Sequence, residues 1–194
     1  MDTRDIVFIS LFAAVMAVLS TVPPVMVPLV GVPVTAQSLG VMLAGGVLGA
    51  KRGGLAIILF LLLVAIGLPL LSGGRGGAAV FLGPTAGYLV GWVLAAITTG
   101  LLTEWLWHRL NYALAVLNCL FGGILVLYAT GIPWSAFVAH IPLQVAFMGS
   151  LPFLIGDSLK CLLAAAVIVT VKQSYPIIAS RTRASSIPTN RAKR

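Results

Sequence analysis

Three charged residues stand apart in an otherwise apolar chain, and their chemical types suit the binding of a small polar molecule. Arg75 lies in the glycine-rich run Gly73-Gly74-Arg75-Gly76-Gly77, and its guanidinium is a forked donor that suits a carboxylate. Asp157 and Lys160 are three residues apart, so they share one face of a helix. Asp157 accepts N–H donors, and Lys160 supplies donors. Together these residues predict a pocket for a small, partly apolar acid with ring N–H groups.

The composition is that of an integral membrane protein. Of the 194 residues, 60% are hydrophobic and 8% are charged, whereas soluble domains carry about 25% charged residues. The net charge of +8 does not indicate a nucleic-acid partner, because the basic residues lie in turns between apolar segments and in a C-terminal tail. The two cysteines, Cys119 and Cys161, have apolar neighbours and are predicted to be buried, reduced thiols.

Apolar segments of membrane-spanning length predict an all-α bundle of six transmembrane helices. The predicted spans are residues 6–22, 34–50, 55–71, 79–102, 112–130 and 151–171. Residues 51–54 are predicted to form a basic turn, and 131–150, interrupted by Pro133 and Pro142, a short interfacial or re-entrant helix. The membrane domain then comprises residues 1–172, and residues 173–194 form a basic, disordered tail that contacts anionic lipid.

The positive-inside rule sets the predicted orientation. With both termini in the cytoplasm, every lysine and arginine except Arg75 and Lys160 falls on the cytoplasmic side, and Asp157 is the only acid that does not. A charge at the centre of a transmembrane helix costs about 2.5–3.5 kcal/mol on insertion scales and usually faces a cavity. These three residues are therefore predicted to line an outward-facing pocket; the alternative is an Asp157–Lys160 pair that neutralises itself and only packs.

Other predicted functional residues are polar or small. Thr85 and Tyr88 share a face of the fourth span and can complete the pocket. Gln37 opens the second span, where lining the pocket and capping the helix start are equally good interpretations. Ala13 and Ala17 form a small-residue face on the first span, which serves either internal packing or the docking of a partner subunit.

Five motifs, taken together, resemble the BioY family, the biotin-binding substrate-capture (S) components of energy-coupling factor (ECF) vitamin transporters. The motifs are the runs at residues 34–38, 46–53, 73–77, 82–91 and 152–160. Each run is weak by itself, but all five in this order and at these spacings are specific. The resemblance covers about residues 6–172. One departure is Ala86, where the family pattern has glycine.

The resemblance implies six helices and capture of biotin from outside a bacterial inner membrane. It also implies delivery inward with an ATP-driven module of one transmembrane coupling subunit and two ATPase subunits. It places Asp157 and Lys160 in the binding pocket and turns Ala13 and Ala17 toward the coupling subunit. We expect Asp157 to accept a ureido N–H of biotin, Lys160 to donate to the ureido carbonyl, and Arg75 to hold the carboxylate or steer it in.

Three alternatives compete with this interpretation. The first is an S component for another small vitamin, the second is a stand-alone biotin carrier that works as a homo-oligomer, and the third is an intramembrane enzyme. The sequence offers the enzyme no nucleophile–base set and no metal-ligand cluster, so we expect no catalysis, no metal and no cofactor. It also has no G-x-x-x-x-G-K-[ST] phosphate-binding loop, so the energy for transport must come from partner proteins.

Overall fold

The structure, a computed structural model, describes residues 2–27 and 32–178, without the side chains of 25–34. This part of the chain forms a bundle of six helices. They are α1 (Thr3–Leu19), α2 (Gln37–Leu48), α3 (Ala50–Ala65), α4 (Ala86–Trp105), α5 (Tyr112–Ala139) and α6 (Leu143–Ser174). Helices α4, α5 and α6 are each long and apolar enough to cross a membrane by length and composition, whereas α1, α2 and α3 are shorter.

Shorter elements lie between the helices in the described part of the chain. Strands β1 (Val25–Val27) and β2 (Val32–Val34) pair antiparallel and join α1 to α2. A single 3-10 turn at Ala78–Phe81 precedes α4, so the fourth helix begins later than the predicted residue 79. The prediction of six helices is confirmed, while their boundaries need correction.

The predicted re-entrant helix at 131–150 is wrong. Helix α5 continues to Ala139 through Pro133, and α6 begins at Leu143 with Pro152 inside it. A π-helical segment at Phe121–Val126 lies in the middle of α5. Transmembrane helices tolerate proline because local readjustment and neighbouring side chains satisfy the freed backbone groups. The break comes instead at His140, which adopts a left-handed conformation with φ of 54° just before Pro142.

The predicted basic turn at 51–54 is also wrong, because these residues form the first turns of α3. The chain reverses at Gly49, whose φ of 84° suits glycine. The N–H of Ala50, unsatisfied at the helix start, donates to Glu104 Oε1 at 2.9 Å. A side chain from α4 therefore decides where α3 begins, and local composition could not reveal this.

Helix α4 lies at the centre of the bundle and packs against α2, α3 and α5. Its glycines at 87 and 91 face α5 so closely that an added Cβ atom would collide with Trp134 and Thr130. Small residues at such positions let two transmembrane helices approach each other closely. Thr85 and Tyr88, at the start of the same helix, are thereby held against α5.

Arg52 ties three segments together at one end of the bundle. Its Nε lies 2.7 Å from Asp5 Oδ1 on α1, and its guanidinium also donates to the Ile177 carbonyl at 3.1 Å. The N–H of Asp2, which donates to the Asp5 carboxylate, and the nearby Arg52 hold the pKa of Asp5 below its ordinary value. The chain after α6 thus packs on the bundle as far as Ile178, which is buried. The tail predicted from 173 onward lies outside the described residues from 179.

Candidate functional site

Asp157 is the centre of a buried polar cluster where α2, α5 and α6 meet. Its carboxylate accepts hydrogen bonds from Tyr128 Oη at 2.7 Å, Ser38 Oγ at 2.9 Å and Lys160 Nζ at 2.8 Å. Only 6% of the residue is exposed. A charge so deeply buried is tolerated when it is paired and hydrogen-bonded, and these three donors provide both conditions.

Lys160 uses all three of its N–H donors within the protein. Besides Asp157, its ammonium donates to the Thr35 carbonyl at 2.6 Å and to Ser38 Oγ at 3.0 Å. The lysine therefore fastens α6 to the segment before α2. A ligand that accepts a hydrogen bond from Lys160 has to replace one of these partners, because an ammonium has no fourth donor.

Arg75 lies on an exposed turn above the cluster. Reciprocal backbone bonds between Leu71 and Arg75, of 2.9 and 3.2 Å, close the turn, and Gly73 and Gly74 supply positive φ angles of 80° and 70° at its tip. The Arg75 Nε donates to the Ser72 carbonyl at 3.4 Å. The remaining guanidinium N–H groups give the pocket a cationic rim.

Thr85 and Tyr88, at the start of α4, also line the pocket. Thr85 is 8% exposed. The Tyr88 hydroxyl lies 3.4 Å from Ser150 Oγ, and its ring meets the Tyr128 ring edge-on with centroids 6.2 Å apart. The Ser135 hydroxyl on α5 donates to the Pro84 carbonyl at 2.8 Å and so holds the start of α4 in place.

One cavity brings most of the predicted residues together. It is lined by Gln37, Arg75, Thr85, Tyr88 and Asp157, with Trp92 and Phe153 as its apolar wall. Lys160 lies behind Asp157 and is not part of the lining. The cavity has a volume of about 60 Å³, which holds only a few water molecules. A vitamin-sized ligand therefore requires the lining to move outward.

A larger space of about 810 Å³ lies between α5 and α6, but its walls are almost wholly apolar. Leu143, Phe147 and Met148 line it and are more than half exposed. Apolar walls suit lipid tails and offer few groups to select a polar ligand. Tyr128 borders both spaces and separates the apolar groove from the Asp157 cluster.

Two residues of the cluster escaped the sequence-based prediction of the site. Tyr128 lies in the long apolar run of the fifth span, and Ser38 lies next to Gln37 near the start of the second span. Ser38 is 119 residues from Asp157 in the chain. The one available signal was a hydroxyl in a membrane span, which by itself is also compatible with bonding to its own helix.

Ala13 and Ala17 do not form an open surface. Ala13 is 3% exposed and lies in the core, and Ala17 is half-buried. The structure thus shows internal packing for Ala13, the alternative to a docking face. The exposed side of α1 carries Val7, Leu11 and Ala14 instead. Partner docking by α1 stays a prediction.

Apolar helices around one buried, charged cluster define an integral membrane protein with an internal polar site. The chain belongs to the BioY family, whose model matches residues 1–177. The resemblance drawn from the five motifs is thereby confirmed.

Relatives and a solved structure support this assignment. The chain is 49% identical over 186 residues to the biotin transporter BioY of Rhizobium etli, covering 93% of this chain and 100% of the relative. It is 47% identical over 184 residues to the biotin transporter BioY of Rhodobacter capsulatus, covering 89% and 95%. A crystal structure of the S-component for biotin from an ECF-type ABC transporter matches with a TM-score of 0.86 at 30% identity, covering 91% of this chain and 97% of that one.

Proposed function

We propose that this protein captures biotin at the outer side of a bacterial inner membrane and delivers it inward as the S component of an ECF transporter. The observation that carries the proposal is the buried cluster of Asp157, Lys160, Ser38 and Tyr128 beside a cavity with a cationic rim. Relatives named as biotin transporters and the similar S-component for biotin support the same ligand.

The chemistry of biotin matches the two ends of the cavity. A carboxylate offers about four acceptor positions, and Asp157 uses three of them within the protein. The fourth is available to a ureido N–H. The ureido carbonyl then reaches Lys160 by replacing Ser38 or the Thr35 carbonyl as its partner.

The remaining parts of biotin fit the other lining residues. Trp92 and Phe153 cover the apolar thioether ring, and Thr85 and Tyr88 offer hydroxyls along its edge. The valerate carboxylate lies toward the rim, where Arg75 can bind it with two parallel N–H donors. Because the cavity is small, part of its lining has to move outward when biotin binds.

Partner proteins supply the energy in this proposal. An ECF coupling subunit contacts the exposed side of α1, and two ATPase subunits drive reorientation of the bundle. With both termini in the cytoplasm, the Asp157 cavity opens outward and the Asp5–Arg52 end faces inward.

Because partner proteins supply the energy, uptake of labelled biotin should disappear in cells that lack the ATPase and coupling subunits. Full uptake without them would identify a stand-alone homo-oligomeric carrier instead.

Ligand identity is tested with the purified full-length protein in detergent. Calorimetric titration should show that biotin binds far more tightly than riboflavin or thiamine, because neither rival presents both a ureido ring and a terminal carboxylate. Equal affinity for all three vitamins would end the biotin assignment. Tight binding of a rival vitamin alone would identify an S component for that vitamin.

A further inference from the structure

Gln37 lies in the cavity wall, but the protein itself uses the polar atoms of its side chain. The amide nitrogen donates to the Met16 carbonyl at 3.2 Å and to the Leu70 carbonyl at 3.0 Å. The amide oxygen accepts from the Ser72 N–H at 3.1 Å and from the Ser72 hydroxyl at 3.2 Å. With a relative exposure of 0%, this amide makes the four bonds that it is able to make. A direct polar contact with a ligand would cost one of them.

The bond to Met16 satisfies the end of α1. In a regular α-helix the Ser20 N–H would donate to the Met16 carbonyl. Here that N–H turns to the Ala17 carbonyl at 3.2 Å. The Met16 carbonyl would otherwise lack a partner in the protein core, where Met16 is fully buried. Gln37 therefore caps the C-terminal end of α1 from the neighbouring helix α2. It does not cap the start of α2.

The bonds to Leu70 and Ser72 fix the turn that carries Arg75. Ser72 and its neighbour Leu71 are both buried, with 1% and 2% exposure. Ser72 therefore has little room to change its conformation. Its N–H and hydroxyl point to Gln37, while its carbonyl accepts from Arg75 Nε at 3.4 Å. A continuous chain of hydrogen bonds thus runs from the end of α1 through Gln37 and Ser72 to the guanidinium.

This anchoring matters because the backbone bonds between Leu71 and Arg75 close the turn on itself, whereas the Gln37 bonds tie it to α1 and α2. Gly73 and Gly74 are exposed, and an added Cβ at Gly74 would meet no atom within 4 Å. Glycine is the residue that loses most conformational freedom on ordering. Without the Gln37 bonds, the guanidinium of Arg75 would sample many positions over the cavity and would bind a carboxylate less tightly.

We propose that Gln37 is a positioning residue: through Ser72 it holds Arg75 where the guanidinium meets the carboxylate of the ligand. This inference rests on the proposed function, because it takes biotin as the ligand and its carboxylate as the group that Arg75 binds. Gln37 then contributes to affinity only through the carboxylate end, and its bond to Met16 links the rim of the cavity to α1.

The test compares biotin with biotin amide, in which a neutral amide replaces the carboxylate. Affinities are measured on the full-length protein with Gln37→Met, Arg75→Ala and the double substitution. We expect Gln37→Met to weaken biotin binding about tenfold, the loss of a hydrogen bond to a charged group. Its affinity for biotin amide should stay the same. In the Arg75→Ala background, Gln37→Met should cause no further loss for biotin.

Two results would overturn the inference. If Gln37→Met weakens the binding of biotin and of biotin amide equally, Gln37 has a merely structural role or contacts the ring directly. If the losses of biotin affinity add in the double substitution, Gln37 does not act through Arg75. Asn118→Leu is the matched control, since Asn118 is another buried amide and bonds Thr103 at 3.5 Å. It should change neither affinity.

A milder substitution keeps the test decisive if Gln37→Met does not fold. Ser72→Ala removes only the hydroxyl bond to Gln37 and leaves the backbone bond in place. We expect a smaller loss for biotin and none for biotin amide; a loss shared by both ligands contradicts the inference. Failure of the wild-type protein to bind biotin would instead refute the proposed function, so the two failures are distinct.

Discussion

Two ion pairs of nearly equal length lie at different depths of this molecule. Lys160 and Asp157 are 2.8 Å apart with side-chain exposures of 16% and 8%, and Arg52 and Asp5 are 2.7 Å apart with exposures of 32% and 17%. Exposed pairs contribute little to stability because water screens them. Removing one partner of a buried pair is strongly destabilising because the other charge is left without compensation. Burial, and not distance, therefore separates their roles.

The number of supporting bonds sharpens this difference. Asp157 has two hydroxyl donors besides its lysine, from Tyr128 and Ser38. The half-buried pair of Arg52 and Asp5 has one backbone N–H, from Asp2, on the carboxylate side and one carbonyl, from Ile177, on the guanidinium side. The buried pair organises a site from three helices, whereas the half-buried pair of Arg52 and Asp5 fastens chain ends to a helix.

The largest effect is expected from Lys160→Met. This change leaves the Asp157 carboxylate buried without its cation and should lower the free energy of unfolding by about 3–5 kcal/mol. Thermal unfolding of the ligand-free protein in detergent measures it. Lys172→Met on the same helix is the control, because Lys172 is outside the cluster and bonds the Leu110 carbonyl. Equal destabilisation by both substitutions would remove the contrast between buried and peripheral lysines.

Tyr128→Phe should have the next largest effect. It removes a 2.7 Å hydrogen bond to the Asp157 carboxylate, and bonds to charged groups contribute about 1.5–3 kcal/mol. Tyr112→Phe removes an exposed hydroxyl that donates to the Leu162 carbonyl, so it should be close to neutral in the same unfolding assay. If Tyr128→Phe is equally neutral, Tyr128 does not support the buried charge.

Asp157→Asn tests the role of the buried pair in binding. The amide keeps the shape but loses the charge, so biotin affinity should fall by about 1–3 kcal/mol, the scale of a buried bond to a charged group. Calorimetric titration of a variant shown to be folded measures this fall. Unchanged affinity would exclude Asp157 from the biotin site.

The smallest effect is expected from the half-buried pair of Arg52 and Asp5. Because the pKa of Asp5 is lowered in the folded protein, its contribution is present above the unfolded pKa, about 3.9. The contribution is lost as the pH falls through the lower, folded value. The melting temperatures of the wild type and Asp5→Asn should differ slightly at neutral pH and converge below about pH 4. A difference in melting temperature that grows as the pH falls would contradict a lowered pKa of Asp5 in the folded protein.

The class of the protein and several residues that line its cavity could be predicted from the sequence. Apolar segments predicted six helices because a bilayer demands spans of that length. Charge accounting singled out Arg75 and Lys160 as exceptions to the positive-inside rule, and Asp157 and Lys160 because a charge within a membrane span is costly and usually faces a cavity. These inferences depend on composition and on local spacing, both of which are written along the chain.

Only the tertiary structure decided which groups meet. Gln37 bonds residues 21 to 35 positions away and Ser38 bonds one 119 positions away. Periodicity assigns a residue to a helix face, but it does not say which carbonyl or carboxylate faces it across the bundle. The continuous path of α5 through Pro133, the burial of Ala13 and the donors around Asp157 depend on packing between helices. Gln37 could be selected from sequence as a polar residue of the pocket, but its four partners come from α1 and the loop before Arg75, which only folding brings within hydrogen-bond distance.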